Sequence, residues 1–336
     1  MQPTSDYALG KVEWFKALRV AYRNGYRDVM TSHNTRTLLG RLFARLLVDS
    51  VLSTAAVIIS IVAYFSMLFS SPLMWLYKGG GLKKMMLLQR SLLLESLALF
   101  TAVSTFGIQK KHYAPQSTAD HDKPLVVMIH GLLHNAAAWH YHADALSEQG
   151  YDVLCLNWGG LTKSIDDAAQ RIAAELQEAV PNDKRSIVFV GHSTGYRIAH
   201  QLLADNPREG RFKAYVALAG PTEGTHLASL ANILPTTCIN GMTPKQSPHP
   251  AIEGRKVYLV DTTYDYVILP SKEKLAEHTA DADNVVRKTY YAGGHLSLLY
   301  CPQATAEIIE ALKHSRLVVP NALCAAEREG TLDLLV

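Results

Sequence analysis

Hydrophobic and polar positions divide the chain into two textures. From Val51 to Phe69, Val, Ile, Ala, Leu and Phe predominate without a polar face, and no charged residue occurs between Asp49 and Lys78. A run of about 20 apolar residues matches the hydrocarbon thickness of a bilayer, so this stretch predicts a membrane-spanning helix. Ser71 and Pro72 end it, and Trp75 and Tyr77 suit an interfacial position. A second apolar stretch, Leu82 to Ile108, is interrupted by Arg90 and Glu95. It can complete a helical hairpin, lie in the interface as an amphipathic helix, or pack against the domain that follows. Arg36, Arg41 and Arg45 before the first run balance Lys78, Lys83, Lys84 and Arg90 after it, so charge leaves the orientation open.

Residues Lys110 to Lys123, polar and carrying Pro115, read as a linker. Beyond them short apolar runs alternate with amphipathic segments, the pattern of a mostly parallel sheet flanked by helices. Strands are predicted at Leu125 to His130, Tyr151 to Trp158, Ile187 to Val190, Ala214 to Ala219, Lys256 to Val260 and Val285 to Tyr291. Helices are predicted at Ala136 to Glu148, Tyr196 to Ala204 and Ala304 to Lys313. A further helix begins after Ser164, an N-cap with Asp167 in the capping-box position, and carries Ile165, Ala168, Ala169, Ile172, Ala173, Leu176 and Val180 on one face. The expected organisation is a basic, apolar amino-terminal region over 1–110, an α/β domain over 120–316 and a tail over 317–336.

Composition changes this picture little. Lysine and arginine exceed aspartate and glutamate by only 33 to 30, which gives no electrostatic footprint for nucleic acid. The four cysteines, Cys155, Cys238, Cys301 and Cys324, form no C-x-x-C pair. Cys155 reads as a buried thiol, and a Cys238–Cys301 bridge is conceivable only in an oxidising compartment.

The chemistry concentrates around Gly191-His-Ser193-Thr-Gly195. A β-branched run stops at Gly191 and a helical pattern begins after Gly195, so Ser193 falls on a sharp strand-to-helix turn, where glycines let neighbouring backbone approach. A serine hydroxyl needs a base, a group that orients the base, and donors for the oxyanion. Both partners follow in the order acid, then histidine. Asp261 and Asp265 lie at or just beyond the Lys256 strand, and Asp265 is preferred because a loop can turn it towards the site. His295, after Gly293 and Gly294 and just past a strand end, is the expected base. The amide of Thr194, and that of Leu132 after the flexible Gly131, are the expected oxyanion donors. His130, His134, His140 and His142 lack the spacing of a familiar zinc motif, so no metal and no cofactor are expected.

These motifs resemble the α/β-hydrolase superfamily, and within it the bacterial lipases and esterases. The resemblance spans roughly Lys123 to Ser315 and rests on the Pro124-Leu-Val-Val-Met-Ile-His-Gly131 strand, the Gly-His-Ser-Thr-Gly elbow and Pro221-Thr-Glu-Gly224-Thr225. It implies a compact α/β-hydrolase core with Ser193, Asp265 and His295 as triad and Leu132 and Thr194 as oxyanion donors. Tyr196 departs from the small residue that often follows the elbow. With the apolar amino terminus, the expectation is a membrane-located serine hydrolase acting on lipid or other hydrophobic acyl esters. The same triad also serves thioesterases and acyltransferases. A reading from another class is a non-catalytic, membrane-tethered binding module. Oligomeric state is not encoded in these patterns.

Overall fold

The computed structural model describes residues 65, 82–105, 110–114, 123–159, 164–206, 210–222, 224–225, 255–265, 267–268, 285–290 and 293–317. The predicted span Val51 to Phe69, except Phe65, lies outside the described residues, as do Cys238 and the tail 318–336. Among the described residues no helix is long and apolar enough to cross a membrane.

The chain order is α1 (Leu82–Thr105), β1 (His112–Tyr113), β2 (Leu125–Ile129), a 3₁₀ turn (Ala136–Trp139), α2 (His140–Glu148), β3 (Val153–Leu156), α3 (Ile165–Ala179), β4 (Ile187–His192), α4 (Thr194–Asp205), β5 (Phe212–Leu218), β6 (Lys256–Thr262), β7 (Val285–Tyr290), a second 3₁₀ turn (Leu296–Tyr300) and α5 (Pro302–Leu317). The strands form one sheet in the order β1-β3-β2-β4-β5-β6-β7. Among the described strands only β1 is antiparallel to its neighbour, β3. β1 falls inside the stretch read as a linker, and its two residues are too few to leave a periodic signal. The predicted helix from Ala136 opens as a 3₁₀ turn, with Asn135 Oδ1 accepting the amide of Ala137 at 2.9 Å.

Alternation along the strands explains the three layers. Val126, Met128, Val188, Val190, Val216 and Val260 point to one face, where they meet Ala143 and Leu146 of α2, Ile308 and Leu312 of α5, and Leu94 and Ala98 of α1. Val127, Ile129, Ile187, Phe189, Tyr215 and Leu259 point to the other, against Ala168 and Ile172 of α3 and Ile198 and Leu202 of α4. A strand covered on both faces must be apolar at every position, as β2 is from Leu125 to Ile129. The predicted Ser164–Asp167 capping box starts α3, with the Asp167 amide bonded to Ser164 Oγ at 3.0 Å.

The second apolar stretch forms α1, which packs on the two 3₁₀ turns and joins the core on one face of the sheet. Leu92, Leu94, Ala98 and Ala102 are buried, and burying each leucine contributes roughly 2 kcal/mol.

Candidate active site

In this sheet β3 and β4 lie on opposite sides of β2. Successive connections therefore leave in opposite directions at β2 and β4. Such a reversal opens a crevice at the carboxyl ends of the strands, where open α/β sheets bind ligands. The loop His130 to Asn135 leaves β2 at that end, Ser193 leaves β4, Asp265 follows β6 and His295 follows β7.

Ser193 sits between β4 and α4 with φ 52° and ψ −122°, a left-handed backbone that a residue with a side chain adopts only at a cost. Its amide donates to the carbonyl of Leu218 at 3.0 Å and its carbonyl accepts from Tyr196 at 3.0 Å, which holds the turn from both sides. The elbow glycines are required by close approach. A Cβ on Gly191 would lie 2.6 Å from the Tyr196 nitrogen, and one on Gly195 would run into the Ile129 carbonyl. Tyr196 is accommodated by Gly220, where a Cβ would lie 2.8 Å from its ring, and stacks on Tyr215 with ring centroids 5.1 Å apart.

Thr194 is the first residue of α4 and is buried. The loop carrying Leu132 runs beside the elbow, because a Cβ on Gly131 would lie 3.0 Å from Ser193 Cβ and 2.9 Å from His192 Nδ1. Leu132 is partly buried against the core, whereas Leu133, with φ 58°, exposes 71% of its surface.

His295 and Asp265 are both buried, and Nδ1 of the imidazole lies 2.8 Å from Oδ2 of the carboxylate. Asp265 Oδ1 accepts the amides of Val267 and Ile268 at 2.9 and 2.8 Å, so the acid is oriented by its own loop. Thr225, in the Pro221–Thr225 segment, donates its hydroxyl to the Val267 carbonyl at 2.7 Å and ties that segment to the same loop. Because an ionised carboxylate only accepts, Nδ1 carries the proton and Nε2 the lone pair. Burial lowers the His295 pKa, but the Asp265 charge, its hydrogen bond and the Glu95 charge outweigh this, leaving it raised above the ordinary histidine value. Asp261 is directed elsewhere, with Oδ2 3.6 Å from Arg287. Burial lifts its pKa to about 6 against the pull of that guanidinium.

Two residues at this site carry no motif in the sequence. His192 donates Nε2–H to the carbonyl of His295 at 3.1 Å, and the two rings are 4.8 Å apart. Burial, with His295 nearby, holds its pKa well below the ordinary value, so it is neutral. Glu95 reaches in from α1, with Oε1 2.8 Å from the Leu296 amide and Oε2 3.0 Å from that of Ser297. The visible signal is an acid inside an apolar run, since a carboxylate there needs a buried partner.

Among the described residues no three His, Cys, Asp or Glu side chains converge as metal ligands would. The histidines near the β2 loop are engaged separately: His130 with the Gly131 carbonyl, His140 with Tyr113, and His142 with Thr305 and the Leu298 carbonyl. Cys155 and Cys301 are buried free thiols.

Residues 124–236 match the family model described as the alpha/beta hydrolase fold. Similar solved structures include a mature-form lipase of Bacillus licheniformis, 19% identical, covering 60% of this chain and 96% of that one at a TM-score of 0.46. They also include a monoacylglycerol lipase of Paleococcus ferrophilus, 14% identical, covering 58% and 95% at 0.45. A hydrolase of Oleispira antarctica is 13% identical and covers 60% and 94%, also at 0.45. A search of curated proteins gave no match. Sheet order and the strained serine between β4 and α4 agree with the match of residues 124–236 to the alpha/beta hydrolase fold.

Proposed function

We propose that the protein is a serine hydrolase that cleaves carboxylic esters through an acyl-enzyme. The observation that carries this reading is the buried His295–Asp265 pair, 2.8 Å apart, at the same end of the sheet as the strained Ser193. In the first half-reaction Ser193 Oγ adds to the ester carbonyl as His295 Nε2 takes its proton. The imidazolium then returns that proton to the leaving alkoxide as the C–O bond breaks. Water repeats the sequence on the acyl-enzyme and releases the acid. Asp265 holds the tautomer and favours the imidazolium, while the amides of Leu132 and Thr194 receive the oxyanion.

The proposed substrate is a lipid or other hydrophobic acyl ester, met at a membrane. Support comes from the charge-free run between Asp49 and Lys78 and from the exposed Leu133, an apolar side chain on the loop beside the elbow. Attachment beside a bilayer would raise the local concentration of acyl chains. The test is a series of p-nitrophenyl esters and matching acyl thioesters of increasing chain length, with the full chain in detergent. The reading expects kcat/KM to rise with ester chain length by about tenfold per 1.4 kcal/mol of added acyl burial. Activity confined to acetyl esters contradicts the lipid substrate, and preference for thioesters contradicts the ester.

A further inference from the structure

His295 is held at three places. Asp265 binds its imidazole, His192 binds its carbonyl, and Glu95 binds the two amides that follow it. The third tie comes from a helix 201 residues earlier in the sequence. It is also the one that brings a second carboxylate to the base.

The contact is built on both sides. The main chain crosses the Glu95 carboxyl at Gly294, where a Cβ would lie 2.8 Å from Oε2 and 2.9 Å from Cδ, so a larger residue would displace the carboxyl or the turn. One helical turn earlier, Ser91 Oγ donates to the Gly293 carbonyl at 2.6 Å. Ser297 Oγ closes the turn from within, accepting from the Gly294 amide at 2.6 Å. Fastening alone needs only neutral groups, as Ser91 shows. Burial raises the Glu95 pKa, and the Leu296 and Ser297 amides and a protonated His295 pull it back, so ionising Glu95 here costs far more than placing a hydroxyl. Its charge therefore calls for a use. The groups facing the imidazole are Asp265 from the β6 loop, Glu95 from α1, His192 from β4 and His134 from the β2 loop. Burial keeps His192 and His134 neutral, which leaves two acids to balance a protonated His295.

Resting on the triad reading above, we propose that Glu95 is a positioning residue of the active site. Its carboxylate sets the turn that carries His295 and adds a second negative charge favouring the imidazolium formed when Ser193 gives up its proton. Helix α1 thereby belongs to the catalytic unit.

Glu95→Gln removes the charge and keeps the size. With a soluble p-nitrophenyl ester and the full chain, the acid limb of kcat/KM is expected to move down by about half a pH unit, because the imidazolium loses a favourable neighbour. Plateau kcat is expected to fall about tenfold with KM little changed, the pattern of an interaction made in the transition state. Ser91→Ala removes a neutral tie and is expected to leave the acid limb in place. A Glu95→Gln limb that coincides with wild type overturns the proposal, as does an equal shift in Ser91→Ala. Should Glu95→Gln not fold, Glu95→Asp keeps the charge and shortens the reach. Its limb should stay in place while kcat falls, and an unchanged kcat overturns the proposal. If the triad reading itself fails, Ser193→Ala retains hydrolysis. If only the role of Glu95 fails, Ser193→Ala is inactive and Glu95→Gln has the wild-type profile.

Discussion

The imidazole Nδ1 of His295 donates to Oδ2 of Asp265 over 2.8 Å, and both side chains are buried. In that setting a carboxylate fixes the tautomer and favours the charged ring. Replacing it with an amide leaves the size but offers a donor to Nδ1, so Asp265→Asn should lower kcat by on the order of 10³–10⁴. Asp261→Asn, which loses only a 3.6 Å contact with Arg287, should stay within about threefold of wild type. Steady-state kinetics on both variants checks the assignment, and a larger loss in Asp261→Asn reverses it.

The pH dependence of the rate follows from His295. Its folded pKa is raised, and the reaction needs it neutral, so kcat/KM should climb with pH along a limb centred above the ordinary histidine value of about 6.5. A pH profile of ester hydrolysis gives the limb directly. One centred below 6 contradicts the proposed electrostatics.

Stability should respond to pH in the same sense, over a lower range. Burial holds His130 and His142 at about 4, below the roughly 6.5 of the unfolded chain. A base with a depressed folded pKa stabilises the fold above the unfolded value, and that contribution is lost as pH falls towards 4. Each is of the order of 3 kcal/mol, from about 2.5 pH units at 1.36 kcal/mol each. Urea unfolding should therefore show a midpoint that drops steeply between pH 6.5 and 4 and less steeply in His142→Gln. The same slope in both proteins would show that His142 does not contribute.

Close approach at the elbow gives a mechanical prediction. Gly195→Ala drives a methyl group into the Ile129 carbonyl, whereas nothing lies within 4 Å of a Cβ on Gly210. Overpacking of about 1–3 kcal/mol should lower Tm by about 2–12 °C in the first. The second should leave Tm within about 2 °C of wild type, as surface substitutions usually do. Thermal unfolding of the two variants side by side makes the comparison, and equal values would remove the argument that the Gly-x-Ser-x-Gly spacing is enforced by backbone contact.

The central strands β2, β3 and β4 were legible because burial on both faces demands apolar runs, and the elbow was legible because its glycines have no substitute. Asp265 and His295 could be singled out because each follows a strand end. Less could be read where the signal is a contact between distant segments. The apolar stretch from Leu82 carries Glu95, and hydropathy alone cannot distinguish a helix facing lipid from one facing a sheet. His192 occupies the variable position of the elbow motif, where the pattern asks for nothing, yet its imidazole meets the His295 carbonyl. β1 is only two residues long, and its partner β3 is forty residues away, so no local pattern announces it. Tyr196, a departure from the family pattern, is accommodated by Gly220 far along the chain.

The central claim is that Ser193 is the nucleophile. Full-length protein treated with a fluorophosphonate probe should become labelled with loss of fluoride, and peptide mass spectrometry should locate the phosphonyl group on Ser193. Ser193→Ala should take up no label and should not hydrolyse a p-nitrophenyl ester. Labelling that persists in folded Ser193→Ala, or a modified residue other than Ser193, contradicts the account.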